Sequence, residues 1–578
     1  MSKIVRVTLF LLVIALFLFT LHYEPSKLPQ IDLLRSYDFF ALFPFLPMCL
    51  ITFVLIICYL ILKQKFLDAT LMTGMLLQLI FIINYPNFVH HNVFSHNTAT
   101  IDLIKHGNIQ FISRETAKLW PGFTIAATFL ELITGMDTVT LNVFMLSLFV
   151  LMIGLTAYFI TKIVFHVIKN KIIMYAPIFM WILFFNNRIL YEFMFHHQWY
   201  AIILFTILIL VMLQLELRYE KIGRKRPTFI MIIIISAAIT IIHPITGFIT
   251  VAALLFYSVV RRAFLIAALT AMGIYILWGT IVSATYIGNA FRWLKVLLQG
   301  EVVSEFVSRS FQTQELLPFY DSVAKAICKT YYIIAALLAI GLFLGLLFKK
   351  VNDKKLAHMS LFLSCTLLGI IIFGLIGIAS VYFEDRMYWH TPLPLAITAF
   401  VGLTLYLTFI RNKKLLVHHK KISKIIMLLA TFIGLFSSSI LVFGMNYYRL
   451  YYSPRSDAEL SLWAIAHSSN GTKFCTGQMF RLPEYYAAFY GKSVEFTSTT
   501  YFLLPKHATS LDELIRPMLT ANTILYTRHL EDSLQRGARK LGYSLNNETF
   551  KETVNSVLKA CNVIYNDGLN TVYSHSYS

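Results

Sequence analysis

Charge is what this sequence has least of. Asp, Glu, Lys and Arg make up 13% of its 578 residues, about half the share found in a soluble globular domain. So few charges cannot cover a soluble surface of that size, which excludes an ordinary soluble enzyme. Cysteine is scarce as well. Six cysteines are too few for a disulfide scaffold. Cys49, Cys58 and Cys365 lie in apolar runs, where a small buried thiol is expected. No spaced Cys/His finger, no His-Glu-x-x-His pattern and no basic helix with interleaved aromatics occurs. A net charge of +20 therefore does not imply a nucleic-acid partner. No small-residue cleavage site follows the apolar run after Lys3 and Arg6. His22-Tyr23-Glu24-Pro25 comes instead, so that run reads as a retained anchor.

What is present is apolar length. Hydrophobic residues are 58% of the chain, and a helix needs about 20 of them to cross hydrocarbon. Candidate spans are 5–22, 40–62, 67–85, 139–165, 172–186, 199–216, 228–243, 247–260, 263–285, 330–348, 357–381, 391–411 and 423–445. They make roughly 13 crossings, with 228–243 and 247–260 readable either as two spans or as a re-entrant hairpin. The fold class is thus mainly α, a polytopic helical membrane protein.

Lys and Arg set the orientation. They gather at Lys63 and Lys65, at Lys162, Lys169 and Lys171, and from Arg218 to Arg226. They recur at Arg261-Arg262, from Lys349 to Lys355, and from Arg411 to Lys424. Placing all of these in the cytoplasm, with the N-terminus, satisfies the positive-inside rule. Loops 86–138, 187–198, 286–329 and 382–390, and everything after 446, then lie outside. The alternation requires that 120–136 does not cross, so it is expected as an amphipathic helix on the outer surface.

The outer face collects the unusual residues. The first large loop carries His90, His91, Asn92, His96, Asp102, His106, Arg114, Glu115 and Lys118, followed by Trp120-Pro121-Gly122. Loop 187–198 holds Glu192, His196, His197 and Gln198, and His243-Pro244 caps a turn on the same side. Loop 382–390 reads YFEDRMYWH, with Glu384, Asp385 and Arg386. A dense titratable cluster beside so many spans marks a candidate site.

From about residue 447 the long apolar runs stop. Short alternating segments, KFCTG, SVEFTST, NTILYTR, NVIYND and NTVYSH, alternate with helix-like stretches at 456–468, 509–520 and 528–541. That pattern predicts a small extracytoplasmic α/β domain over 447–578, after a membrane domain over 1–446 with long outer loop 286–329. Cys475 and Cys561 are its only cysteines and are candidates for a disulfide. Asn470-Gly471-Thr472 and Asn547-Glu548-Thr549 are glycosylation sequons.

The order of these motifs resembles the GT-C superfamily of polytopic membrane glycosyltransferases, which includes oligosaccharyltransferase catalytic subunits and protein O-mannosyltransferases. The resemblance rests on His91-Asn92 followed by His96, a helix ending at Gly107, and the Trp-Pro-Gly element. It also rests on His197-Gln198 opening a span, on Glu384-Asp385-Arg386 before a Leu-Pro-Leu span, and on the ending NVIYNDGLNTVY. It implies sugar transfer from a polyprenyl-phosphate donor to a glycan or protein acceptor at the outer face of a cell membrane. In a eukaryote the membrane would be that of the endoplasmic reticulum.

The family places an Asp where this chain has Asn92, and Asn cannot take a proton at neutral pH. The base candidates are therefore Asp102, His96 and Glu192. Arg386, with Glu384 and Asp385, suits the departing phosphate, and His91, Asn92, His197 and Gln198 line the same face. No cofactor is required by these residues. A divalent metal remains an alternative, since imidazoles at His90, His91, His96, His196 and His197 suit transition metals. Adjacent histidines, however, point poorly at one ion. A transporter or flippase of lipid-linked glycans and an inactive GT-C scaffold are the competing readings. The absence of internal repeats weighs against the first.

Overall fold

The computed structural model describes residues 46–83, 91–112, 115–136, 138–185, 197–217, 225–282, 319–347, 354–378, 390–412 and 419–444. In the C-terminal region it describes 455–476, 483, 486–487, 490–498, 511–526, 530, 534, 548–566 and 571–575. These residues divide into two compact units.

The first unit is helical and comprises 1–83, 119–123 and 142–446. Its helices are α1 (Leu46–Leu62), α2 (Phe66–Ile83), most of α6 (Thr138–Ile168), α7 (Ala176–Phe185), α8 (His197–Leu217), α9 (Lys225–Ile242), α10 (Pro244–Val260) and α11 (Leu265–Ile281). They continue with α12 (Phe319–Leu347), α13 (Lys354–Ile378), α14 (Pro392–Asn412) and α15 (His419–Gly444). Four stretches, Leu148–Ile168, His197–Glu216, Arg262–Ile281 and Ala326–Leu346, are long and apolar enough to cross a membrane, and shorter apolar helices accompany them. α8 shows why. Its sequence WYAIILFTILILVML carries apolar residues all round rather than on one stripe, the pattern of a helix with no aqueous face.

Local chemistry fixes the breaks between helices. α9 and α10 are joined by His243 alone, which takes an extended backbone conformation and caps α10, with Pro244 in the first turn. α10 and α13 pack backbone to backbone. A Cβ at Gly369 would lie 3.0 Å from Ala253 N, so a larger residue there would push the two backbones apart.

The second unit comprises 84–118, 124–141 and 447–578. It holds α3 (His91–His106), most of α4 (Glu115–Leu119) and most of α5 (Gly122–Thr134). α5 falls where the sequence predicts a surface helix. Ile125, Phe129, Leu132 and Ile133 form an exposed apolar stripe on it, while Thr124, Ala127 and Thr128 are buried.

The C-terminal region folds as α16 (Arg455–Ala466), β1 (Lys473–Thr476), β2 (Glu495–Ser498), α17 (Leu511–Thr520), β3 (Thr523–Tyr526), α18 (Glu548–Lys559), β4 (Cys561–Asn566) and β5 (Thr571–His575). The strand order is β2-β1-β3-β5-β4. β1 pairs in parallel with β2 and β3, while β5 runs antiparallel to β3 and β4, with a bulge between Val563 and Tyr565. Its core holds Cys475, Met518, Ile524, Leu534 and Val557.

That strand order corrects the expected disulfide, because Cys475 and Cys561 are both free thiols. β1 and β4 are separated by β3 and β5. At about 4.8 Å per strand spacing the two backbones lie roughly 14 Å apart. A bridge needs Cα atoms within about 7 Å. Burial also pushes the Cys561 thiol up from its ordinary pKa, which keeps it in the less reactive neutral form.

Candidate functional site

In the first unit, three helix beginnings carry histidine. His197 opens α8, His243 caps α10, and His390 lies just before α14. The rings of His197 and His243 are 4.9 Å apart between centroids. Thr246, in the first turn of α10, joins the other two. Its Oγ1 lies 2.8 Å from His243 Nδ1 and 2.9 Å from His390 Nε2. His243, Thr246 and His390 are all buried, and His197 is half-buried at the edge of the cluster.

The backbone fixes the direction of this chain. The Thr246 amide donates to His243 Nδ1 at 3.2 Å, and an N–H can only donate. His243 Nδ1 is therefore an unprotonated acceptor, and the neutral ring carries its proton on Nε2. The Thr246 hydroxyl then donates to His243 Nδ1 and accepts from His390 Nε2–H. Protonating His243 at Nδ1 would break the cap of α10.

Aromatic and glycine contacts shape the surroundings. Phe123 packs edge-on to His197 at 6.4 Å, and Phe205 packs edge-on to His390 at 5.5 Å. The Trp-Pro-Gly element sits against the same corner. A Cβ on Gly122 would come within 2.9 Å of Ile242 Cγ1, one residue before His243. Trp278 Nε1 donates to Leu119 O at 3.3 Å and holds the element down. Gly122 is needed here for close approach, which lets Phe123 reach His197.

Three helix N-termini around a buried imidazole cluster create positive potential, because each helix dipole places partial positive charge at its start. The arrangement suits an anion. It suits a metal poorly. The ring nitrogens His243 Nδ1 and His390 Nε2 are both engaged by Thr246, and among the described residues no three His, Cys, Asp or Glu side chains could hold a metal ion.

Other residues expected from the sequence are distributed as follows. His197 and Gln198 open α8, with Gln198 fully buried. His91, Asn92, His96 and Asp102 lie on α3 of the second unit, where Asp102 is half-exposed. Glu192, Glu384, Asp385 and Arg386 lie outside the described residues. Thr246 received no role from sequence. His243 was legible only as a cap and His390 only as part of the YFEDRMYWH loop. The one signal uniting the histidines is that each stands at or within two residues of a helix start, His243 directly before a proline and His390 two residues before one.

The fold is a set of apolar helices, with four stretches among the described residues long enough to cross a membrane, followed in sequence by a small mixed sheet. Solved structures share it. The archaeal oligosaccharyltransferase AglB from Archaeoglobus fulgidus, in complex with an inhibitory peptide and a dolichol-phosphate, superposes with a TM-score of 0.53 at 12% identity. The match covers 89% of this chain and 74% of that one. The structure of the same oligosaccharyltransferase with Zn and sulfate gives a TM-score of 0.52 at 10% identity, covering 88% and 73%. These likenesses establish the fold. No protein-family model matches the chain, and no curated protein matches its sequence.

Proposed function

We propose that this chain transfers a sugar from a polyprenyl-phosphate donor to an acceptor at the extracytoplasmic face of a membrane that it crosses roughly 13 times. The observation that carries the reading is the meeting of three helix N-termini at His197, His243, Thr246 and His390 in a chain of GT-C fold. A sugar leaving its carrier breaks the C1–O bond and leaves the electron pair on phosphate. The acceptor heteroatom bonds to C1 and gives its proton to a base. Positive charge placed beforehand where the phosphate develops its charge lowers that barrier. The helix dipoles that meet at the histidine cluster provide it, and Arg386, with Glu384 and Asp385 nearby in sequence, is the further phosphate ligand in this reading. Asp102, His96 and Glu192 are the candidate bases, with His91, Asn92 and Gln198 contacting donor or acceptor. The lipid tail of the donor lies in the bilayer.

Deleting the gene in its source organism and profiling surface glycans and glycoproteins by mass spectrometry tests the reading. A glycan should disappear in the null strain. Wild type should restore it, and His197→Ala should restore less than about a tenth, the scale of one lost charge-assisted contact. A null strain with an unaltered profile overturns the proposal. Asn92 favours a second reading, an inactive scaffold, because an amide there cannot accept a proton. In that case His197→Ala would restore the profile as fully as wild type does.

A further inference from the structure

At the other ends of α8 and α10 lies a second polar cluster that the site does not use. Glu216 is buried there at 7% exposure. Its Oε1 pairs with Arg261 Nη2 at 2.7 Å and with His358 Nδ1 at 3.3 Å, and its Oε2 accepts from Tyr257 Oη at 2.6 Å. These partners come from the end of α10, the residue that caps it, and the first turns of α13. The Tyr257 ring is itself wedged 5.0 Å from Phe264 and 5.0 Å from Phe362.

A buried ion pair is a poor way to add stability, because well-packed apolar residues of the same volume usually do as well or better. What such a pair supplies is a register. α8 needs one. Its half nearer Glu216, Ile207–Leu213, is aliphatic at every position and offers similar surfaces in succession, so packing there discriminates weakly between neighbouring alignments. A slip by one residue moves a helix about 1.5 Å along its axis and turns it about 100°. That would swing His197 off His243.

We infer that Glu216 is a positioning residue for the histidine cluster. By tying α8 to α10 and α13 at one end, it sets the alignment that brings His197 to His243 at the other, roughly 28 Å away along α8. The functional part of this inference rests on reading the histidine cluster as the donor's phosphate seat. The structural coupling does not.

The test uses the full chain in detergent, followed by hydrogen–deuterium exchange. The reporters are the Thr246 and Gly247 amides, which donate to His243 Nδ1 and His243 O. Glu216→Ala should speed their exchange about tenfold, and Glu216→Gln, which keeps an acceptor for Tyr257 but loses the charge, about threefold, as expected when a tie is released rather than the fold lost. Faster exchange confined to 213–217 and 257–261, with Thr246 and Gly247 unchanged, overturns the inference. If Glu216→Ala does not fold, Glu216→Gln and Tyr257→Phe decide by the same comparison. In the complementation assay, Glu216→Gln should lower the restored glycan about threefold at equal expression. A wild-type chain that restores nothing refutes the proposed function and leaves the exchange result standing.

Discussion

Thr246→Val removes one hydroxyl and almost no volume, so it isolates the polar chain at the helix starts. In the structure that hydroxyl touches His243 Nδ1 at 2.8 Å and His390 Nε2 at 2.9 Å, and all three residues are buried. A typical intramolecular hydrogen bond contributes about 1 kcal/mol net, and a buried donor deprived of its acceptor costs about 1–3 kcal/mol. The Thr246 amide still caps His243, so the loss falls mainly on the His390 side. The expected destabilisation is about 2–4 kcal/mol. Thr246→Ser keeps the hydroxyl and forfeits one methyl, about 0.8 kcal/mol. Equilibrium unfolding of the detergent-solubilised chain in increasing SDS mole fraction, followed by circular dichroism, measures both. Combined with His390→Phe, Thr246→Val should show a coupling of about 1 kcal/mol, as for residues sharing one network. Equal losses for Val and Ser at position 246, or a coupling near zero, would refute the hydrogen-bond chain.

Other perturbations probe separate features. Gly122→Val should cost about 1–3 kcal/mol by overpacking against Ile242 and should lower the restored glycan by displacing Phe123 from His197; unchanged unfolding would show that the corner yields freely. Lys492 Nζ donates to Ile465 O, Ala466 O and Ser468 O at 2.6, 2.8 and 2.6 Å, closing the C-terminal end of α16. Lys492→Met should cost about 2 kcal/mol after the entropy of the lysine is discounted, read as faster limited proteolysis between α16 and β1. Burial raises the Cys561 pKa, so the folded state holds that proton more tightly than the unfolded chain. This contribution to stability is complete below the unfolded thiol's pKa of about 8.5 and is lost as pH rises through the folded value. Iodoacetamide labelling of native Cys561 should accordingly inflect at higher pH than in the denatured chain, and non-reducing peptide mapping should show no bridge to Cys475.

The sequence revealed elements far better than it revealed their meeting. The segments KFCTG, SVEFTST, NTILYTR, NVIYND and NTVYSH each contain a strand, because alternation of side chains is a local signal. Their order is not local. Nothing in the spacing of Cys475 and Cys561 tells that β3 and β5 intervene. The helix at Gly122–Thr134 was legible from its apolar stripe and its Pro-Gly start. The histidine cluster was only partly so. His197 drew attention as one of a pair of histidines opening a span, while Thr246 looks like any hydroxyl in an apolar helix and acquires its role only when His390 arrives beside it. Glu216 reads in sequence as the end of a span before a basic loop. Its burial is set by Arg261 and His358, which belong to other helices.

The pairing of Thr246 with His390 also has a schedule. They are 144 residues apart in the chain, and synthesis at about 5–20 residues per second separates their appearance by roughly 7–30 s. During that interval α8, α9 and α10 are complete while the ring that will close the polar chain has not been made. In that interval the Thr246 hydroxyl and the His243 ring satisfy each other within the α10 cap, and the acceptor side of Thr246 Oγ1 awaits His390. That favours late consolidation of this corner, after α14 is in place.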